Sequence, residues 1–175
     1  IILPDTLSDA AKVAENKNRD EGYLTDKYTF TGYAWFRRSC TVESDMTGLV
    51  SILTLERTRV STLYIDGAEV GTCDSLCSTH RYDISSYMTA GTHEIVIRVA
   101  NVGYKTGGGH MTSPDTQTNW LGIVGKMNIE IYPKSYISDV RVIASADGSL
   151  SVRGTASGAV TVSYTHLTLP TILLV

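Results

Sequence analysis

Hydrophobic and polar residues alternate with a period of two through much of the middle of the sequence. This period predicts β-strands that turn one face towards a core. In residues 93–100 the inward positions are Ile95, Ile97 and Val99. Further runs that predict strands cover residues 33–42, 49–55, 60–65, 81–84 and 123–132.

Three of these runs carry additional information. Residues 49–55 are apolar on both faces, which predicts a central strand buried on two sides. The run 60–65 leads into Asp66-Gly67, the strongest short signal for a β-hairpin. In residues 33–42 one face is shared by Tyr33, Trp35 and Arg37.

Short strands separated by turn signals at spacings near ten residues predict an all-β sandwich. Residues 7–17 form the one stretch that tolerates a helix. Pro133 closes the first unit, and two runs around Asp147-Gly148 predict a second hairpin. Because a lone hairpin cannot bury a core, we expect residues from about 134 onward to begin a second β-domain.

Charge, hydrophobicity and cysteine content limit the partners and cofactors that we expect. With 15 basic and 18 acidic residues the formal charge is −3, which disfavours a nucleic-acid partner. No apolar run approaches the roughly 18 residues of a membrane span. Cys73 and Cys77 have no matching His or Cys pair, so we predict neither zinc nor any other metal or cofactor. Whether these two thiols form a disulfide stays open.

Seven segments, taken together and in order, resemble the N-terminal sugar-binding domain of glycoside hydrolase family 2. That family includes β-galactosidases and β-glucuronidases. The resemblance extends over about residues 2–133. Its segments are AWFRR at 34–38, LERTRV at 55–60, YIDGAEVG at 64–71, HRYDI at 80–84, GTH at 91–93, IRVAN at 97–101 and TQTNWLGIVG at 116–125.

The resemblance implies a galactose-binding-like jelly-roll β-sandwich over residues 1–133. It also implies the first strands of an incomplete immunoglobulin-like β-domain over residues 134–161. In the parent enzyme a (β/α)₈ barrel with two catalytic glutamates would follow and hydrolyse β-glycosides with retention. That barrel is not in this sequence, so we do not expect the chain alone to hydrolyse a substrate. The resemblance favours a periplasmic or secreted parent over a cytoplasmic one.

Residues 162–175 have a separate explanation. Residues 162–171, VSYTHLTLPT, match one translated frame of an adapter used in transposon-based sequencing libraries. We therefore interpret this tail as non-native and exclude it from the prediction of the fold. The alternative is a genuine strand with an apolar end.

Asn101 and His110 are the first two candidate sugar-binding residues. Asn101 stands where the family carries an Asp or Asn that reaches the active site and contacts a sugar hydroxyl. An amide suits a hydroxyl because it both donates and accepts, although Asn also caps turns at strand ends. His110 follows three glycines in the long loop 103–119, where it could contact a ligand or simply be solvated.

Asp115 and Trp120 complete the candidate set. Asp115 is a polar residue of the same loop, individually more typical of a structural role. Trp120 could stack on a pyranose face, but it matches the family's packing tryptophan, so packing is favoured. Residues 56–59 form a charge cluster that we interpret as an ion-pair network or an interface with the barrel.

Three functions remain open. The first is a non-catalytic domain that supports the barrel and lends polar contacts to a carbohydrate substrate. The second is a free-standing carbohydrate-binding module, which needs exposed aromatic residues. Only Trp35 and Trp120 are available for that purpose, and both are expected to pack. The third is a structural β-sandwich without a sugar ligand.

Overall fold

The structure is a computed structural model that describes residues 2–10, 13–16, 26–105, 109–113 and 119–158. It divides into two compact units, Ile1–Ile131 and Tyr132–Val175, and each is described by itself. Over the described ranges the regular structure consists of β-strands and one 3₁₀ turn, Ser44–Met46. The predicted all-β sandwich class is confirmed.

The first unit contains two four-stranded antiparallel sheets. Sheet 1 has the order β1-β10-β5-β8, and sheet 2 has the order β4-β9-β6-β7. Two short strands, β2 and β3, pair with each other. The strands are β1 (Asp5–Thr6), β2 (Ala14–Glu15), β3 (Tyr28–Thr29), β4 (Tyr33–Val42), β5 (Val50–Thr58), β6 (Val60–Ile65), β7 (Ala68–Cys73), β8 (His80–Asp83), β9 (Gly91–Ala100) and β10 (Gly122–Tyr132).

The core lies between the inward faces of the two sheets. Sheet 1 contributes Leu53, Leu55 and Ile123, and sheet 2 contributes Leu63 and Val99. The last four of these are fully buried. Each such side chain stabilises the fold by about 1.5–3 kcal/mol relative to an exposed one. The alternating pattern of the sequence therefore sets which face of each strand is covered.

The predicted hairpin is present between β6 and β7. Asp66 and Gly67 have φ angles of +50° and +80°, the left-handed pair that a two-residue turn of the I′ type requires. Both carboxylate oxygens of Asp66 are engaged, one by the amide of Glu94 and one by the ring of His93. The turn is thereby attached to the start of β9.

The second unit is a single hairpin, β11 (Tyr136–Ala144) and β12 (Leu150–Ser157). Its turn contains Gly148 at φ +85°. The apolar side chains of this hairpin are exposed, as for Val142 and Val152 at 59% each. Two strands alone provide no second layer against which these side chains could pack.

Most predicted strands coincide with observed ones to within three residues at either end, and the predicted central strand, β5, lies inside sheet 1. The helix-tolerant reading of residues 7–17 is wrong where that stretch is described. Residues 7–10 form a turn, in which Ala10 N donates to Thr6 O, and residues 14–15 form β2. The side chains of Thr6 and Asp9 bond each other and close this turn locally. Residues 162–175 lie outside the described residues.

Candidate functional site

Asn101 lies at the end of β9 and is 2% exposed. Its Oδ1 accepts a hydrogen bond from Gly32 N at 2.9 Å. Its Nδ2 donates to Phe30 O at 2.6 Å and to Asn119 O at 3.1 Å. One buried amide thus joins three segments that are far apart in the sequence.

These contacts bear on what Asn101 can offer a ligand. Both amide hydrogens are donated to backbone carbonyls, and a side-chain amide has only two. The side chain performs the strand-end capping role that was the alternative to sugar binding. Its contact with a sugar hydroxyl stays a prediction, and that contact would require these loops to rearrange.

Trp120 is half-buried and packs against a buried arginine. The guanidinium of Arg59 lies 4.5 Å from the centre of the Trp120 ring, and Arg59 Nε donates to Trp120 O at 3.1 Å. Arg59 is 2% exposed, and this burial lowers its pKa, while nearby Tyr104 acts in the opposite direction. The cation–π contact and the hydrogen bond orient the indole ring.

The cluster at residues 56–59 is therefore not one ion-pair network, and its alternative role as an interface with the barrel stays a prediction. Arg59 turns inward to Trp120, whereas Glu56 accepts a hydrogen bond from Lys126 N at 2.6 Å. Arg57 lies 3.9 Å from Glu56, at the limit for an ion pair. A buried arginine has no distinctive signal within a run of charges, so the sequence did not separate Arg59 from its neighbours.

Asn119 is fixed from two sides. Its main-chain oxygen accepts from Asn101, and its side-chain Oδ1 accepts from the Tyr104 hydroxyl at 2.8 Å. Burial raises the pKa of Tyr104, while Arg59 opposes the rise, so the phenol stays protonated and able to donate. We call residues 119–121, together with Asn101, Arg59 and Tyr104, the rim. Sequence analysis missed both Arg59 and Tyr104 as members of this group.

The rim borders a small cavity of about 40 Å³ between the 119–121 segment and residues 26–31. That volume suits about one water molecule, whereas ligand pockets measure about 300–1,000 Å³. A larger groove of about 820 Å³ lies along β4 and β10, but its lining includes core side chains such as Phe36 and Ile97. The rim of the first unit is thus a surface that a sugar could touch, not a pocket that would enclose one.

Of the remaining two candidates, His110 falls within the described residues. His110 is exposed on the turn 109–112, which the bond from Thr112 N to Gly109 O closes. Asp115 lies outside the described residues. The structure therefore brings together Asn101 and Trp120, through Asn119, and places His110 on a separate turn.

A buried serine–histidine pair resembles a catalytic arrangement in distance alone. Ser61 Oγ lies 2.6 Å from His80 Nδ1 and 2.7 Å from the Tyr82 hydroxyl. His80 Nε2 faces Ser75 O at 2.7 Å, so Nε2 carries a proton, and burial lowers the pKa of His80 and raises that of Tyr82 to about 12. Ser61 and His80 are at most 1% exposed, so no substrate can reach them.

The described residues contain no group of three or more His, Cys, Asp or Glu placed to hold a metal ion. Cys40, Cys73 and Cys77 are all free thiols. Nor does any described helix have the length and apolarity needed to cross a membrane.

The expectation that Trp35 packs is wrong. Trp35 is 59% exposed on the outer side of β4, while its neighbour Phe36 packs against the core. Trp35 and Phe36 lie on opposite faces of the strand, and Phe36 is the one that faces the core. An exposed tryptophan is therefore available on sheet 2.

Comparison with known proteins gives a fold but no family assignment by sequence. No family model and no curated protein matches the chain. A β-glucuronidase from Faecalibacterium prausnitzii superposes with a TM-score of 0.64 at 17% identity, over 91% of this chain and 30% of that one. The Ruminococcus gnavus β-glucuronidase gives 0.66 at 15% identity, over 91% and 28%.

A third solved structure, a glycosyl hydrolase family 2 member from Bacteroides cellulosilyticus, gives a TM-score of 0.60 at 16% identity. The match covers 83% of this chain and 19% of the chain of that enzyme. The chain thus spans less than a third of the length of each of these enzymes. At these identities the likeness establishes a shared β-fold: the chain is built like one portion of much longer glycosidases.

Proposed function

We propose that this chain is a non-catalytic, sugar-contacting β-sandwich of a family 2 glycoside hydrolase that acts on β-glycosides. The observation that carries the proposal is the match of 91% of this chain to under a third of two β-glucuronidases. The ordered series of family-like segments in residues 2–133 supports it independently. In such an enzyme two carboxyl groups of a barrel would cleave the glycosidic bond. For a retaining mechanism these two groups lie about 5–5.5 Å apart.

The role of this chain in that enzyme would be to position the substrate. The rim is held in place because part-buried hydrogen bonds fix Asn119 and the Arg59 guanidinium packs on the Trp120 ring. A rigid group at the mouth of an active site orients a substrate without loss of conformational freedom on binding. The small cavity beside Trp120 is in keeping with half of a site, which a barrel would complete.

The test uses the protein encoded by the complete gene and replaces Trp120, the rim residue whose ring could stack on a pyranose face. We expect Trp120→Leu, which keeps an apolar side chain beside Arg59 but no aromatic face, to lower kcat/KM on a β-glycoside by about tenfold, which corresponds to about 1.4 kcal/mol. The melting temperature of the same sample separates a loss of substrate positioning from a loss of folding. Ser86→Ala, at an exposed position outside the rim, is the control. A complete gene product without glycosidase activity would refute the proposal itself.

A further inference from the structure

An uncovered aromatic surface lies on the outer face of sheet 2. Tyr33 and Trp35 are 55% and 59% exposed, although β4 also contributes Ala34 and Phe36 to the core side. On β6, which is separated from β4 by β9, the Tyr64 ring lies 5.7 Å from the Trp35 ring, with 33° between their planes. Exposed aromatic groups that cluster in this way mark interaction sites more often than isolated exposed apolar residues do.

Arg98 projects into this cluster from the central strand β9. Its guanidinium lies 5.5 Å from the Tyr33 ring and 5.8 Å from the Trp35 ring. Arg98 Nη2 donates to Thr62 Oγ1 at 2.8 Å, and Thr62 is 1% exposed. The guanidinium is therefore held in place by a buried hydroxyl and two rings before any ligand arrives.

Arg98 forms no ion pair with a carboxylate of the described residues, in contrast to Arg37 and Arg81. Those two arginines pair with Glu94 and Glu130, respectively. A pre-oriented guanidinium with free donors fits the planar, two-oxygen geometry of a carboxylate. The cluster thus combines apolar ring faces with one unsatisfied cation.

We propose that this aromatic platform, Tyr33, Trp35, Tyr64 and Arg98, is a binding site for glycan chains that bear uronic acids. The C–H face of a pyranose would stack on the Trp35 and Tyr64 rings. Its carboxylate, or that of a neighbouring residue of the glycan, would accept hydrogen bonds from Arg98. This site does not depend on the proposed hydrolase, because every residue of it belongs to the present chain.

The size of the platform favours a glycan over a protein partner. A fully covered aromatic side chain buries about 150–250 Å², and these three are already partly covered, so the platform offers roughly 300 Å². A stable protein interface needs about 800 Å² on each side. An area of a few hundred Å² matches one or two sugar rings, and the hydroxyl of Thr72, bonded to Thr62, adds a polar border.

The experiment is calorimetric titration of the purified chain with two oligosaccharides that share a xylan backbone. One carries glucuronic acid branches, and the other carries neutral arabinose branches. We expect millimolar or tighter binding of the acidic ligand and at least tenfold weaker binding of the neutral one. Salt should weaken the acidic interaction because it screens the Arg98 contact.

Two variants and one control locate the site. Trp35→Ala should abolish binding of both ligands, and Arg98→Gln should remove the preference for the acidic one. Ile131→Ala, an exposed apolar residue outside the platform, should bind as the unaltered chain does. The proposal is overturned if neither ligand binds at millimolar concentration, if Trp35→Ala binds normally, or if Arg98→Gln retains the preference. None of these outcomes bears on the hydrolase proposal.

Discussion

At the scale of single residues, Asn101 joins separate loops of the first unit. It satisfies Gly32 N and Phe30 O in one loop and Asn119 O in another, nearly 90 residues further along the chain. A buried backbone group without a partner costs about 1–3 kcal/mol. The amide is therefore first a structural element, and any contact with a sugar comes in addition to that role.

Replacement of Asn101 by Ala should lower the free energy of unfolding by about 2–4 kcal/mol, since three backbone groups lose their partner together. Urea denaturation followed by fluorescence measures this change. Asn128→Ala, at an exposed position of β10, is the matched control and should cost under about 0.5 kcal/mol. Equal stability of the two variants would mean that the three contacts contribute nothing.

The His93–Asp66 pair makes stability depend on pH. His93 Nδ1 lies 2.6 Å from Asp66 Oδ2, and Nε2 lies 2.8 Å from Thr89 O, so both ring nitrogens face acceptors. The hydrogen bond to Asp66 and then that to Thr89 O raise the pKa of His93. In turn, the bonds from His93 and from the Glu94 amide lower the pKa of Asp66.

The direction in which stability changes with pH follows from the difference between the folded and unfolded pKa values. A raised histidine pKa stabilises the fold below the unfolded value of about 6.5, and this contribution is lost as pH rises through the folded value. A lowered aspartate pKa stabilises the fold above about 3.9, and this contribution is lost as pH falls through the folded value. The pair should therefore stabilise the protein most between about pH 4 and 6.5.

Asp66→Asn isolates this contribution, because Asn also tolerates the left-handed conformation of the turn. We expect the difference in melting temperature between the unaltered protein and the variant to peak between about pH 4 and 6.5. Comparison with the variant is needed because buried His80, whose pKa is lowered, makes the protein less stable as pH falls below about 6.5. A difference that is constant from pH 4 to 9 would contradict the assignment.

How far sequence predicts individual residues depends on whether their environment is local. Asn101 was singled out because it stands where the resembled family carries an Asp or Asn, but its burial depends on residues 30–32, about 70 positions away, and could not be foreseen. Arg59 stood among charged neighbours, and only the folded chain shows that it packs on Trp120. The alternation of β4 puts Trp35 and Phe36 on opposite faces but does not show which face is covered, because both residues are aromatic.

At the scale of elements, β1 closes one edge of sheet 1 through a close approach at Gly122. Thr6 pairs with Gly122, and a Cβ at that glycine would collide with the backbone of Asp5 and Thr6. The Thr58 hydroxyl also donates to Gly122 O at 2.8 Å. The absence of a side chain at this position is what lets the first strand join the sheet.

Gly122→Ala should displace β1 and lower stability by about 1–3 kcal/mol, the usual range for a clash in a packed region. Hydrogen exchange measures this displacement most directly. The Leu7 amide is bonded to Leu121 O in the unaltered protein and should lose its protection from exchange in the variant. Gly71→Ala serves as the control, since a Cβ there would meet nothing within 4 Å. Unchanged protection of Leu7 would show that β1 tolerates the methyl group.

Strand positions could be predicted well because alternation is a property of adjacent residues. The prediction of residues 33–42 and 60–65 coincides with β4 and β6. The failure at residues 7–17 has a local cause as well, since the side chains of Thr6 and Asp9 bond the turn in place of a helix. Such bonds compete with helix formation but leave no clear periodic signal.

At the scale of the whole molecule, the order of strands could not be obtained from the pattern. Strand β10 lies between β1 and β5, and β9 lies between β4 and β6, so several neighbours in the sheets are distant in the sequence. Alternation specifies which face is buried and not which strand is the neighbour. The resemblance to a family supplied the jelly-roll expectation, and the comparisons establish a shared β-fold with portions of glycosidases.

We have proposed that the chain is one β-sandwich of a larger glycoside hydrolase. The sequence of the source DNA across and beyond the codons for residues 158–175 tests this proposal. We expect the native frame to depart from the adapter-like tail near Thr161 and to continue through a second β-domain into a (β/α)₈ barrel with two glutamates. A stop codon soon after residue 161, or native sequence under the tail that leads to no barrel, would overturn the proposal.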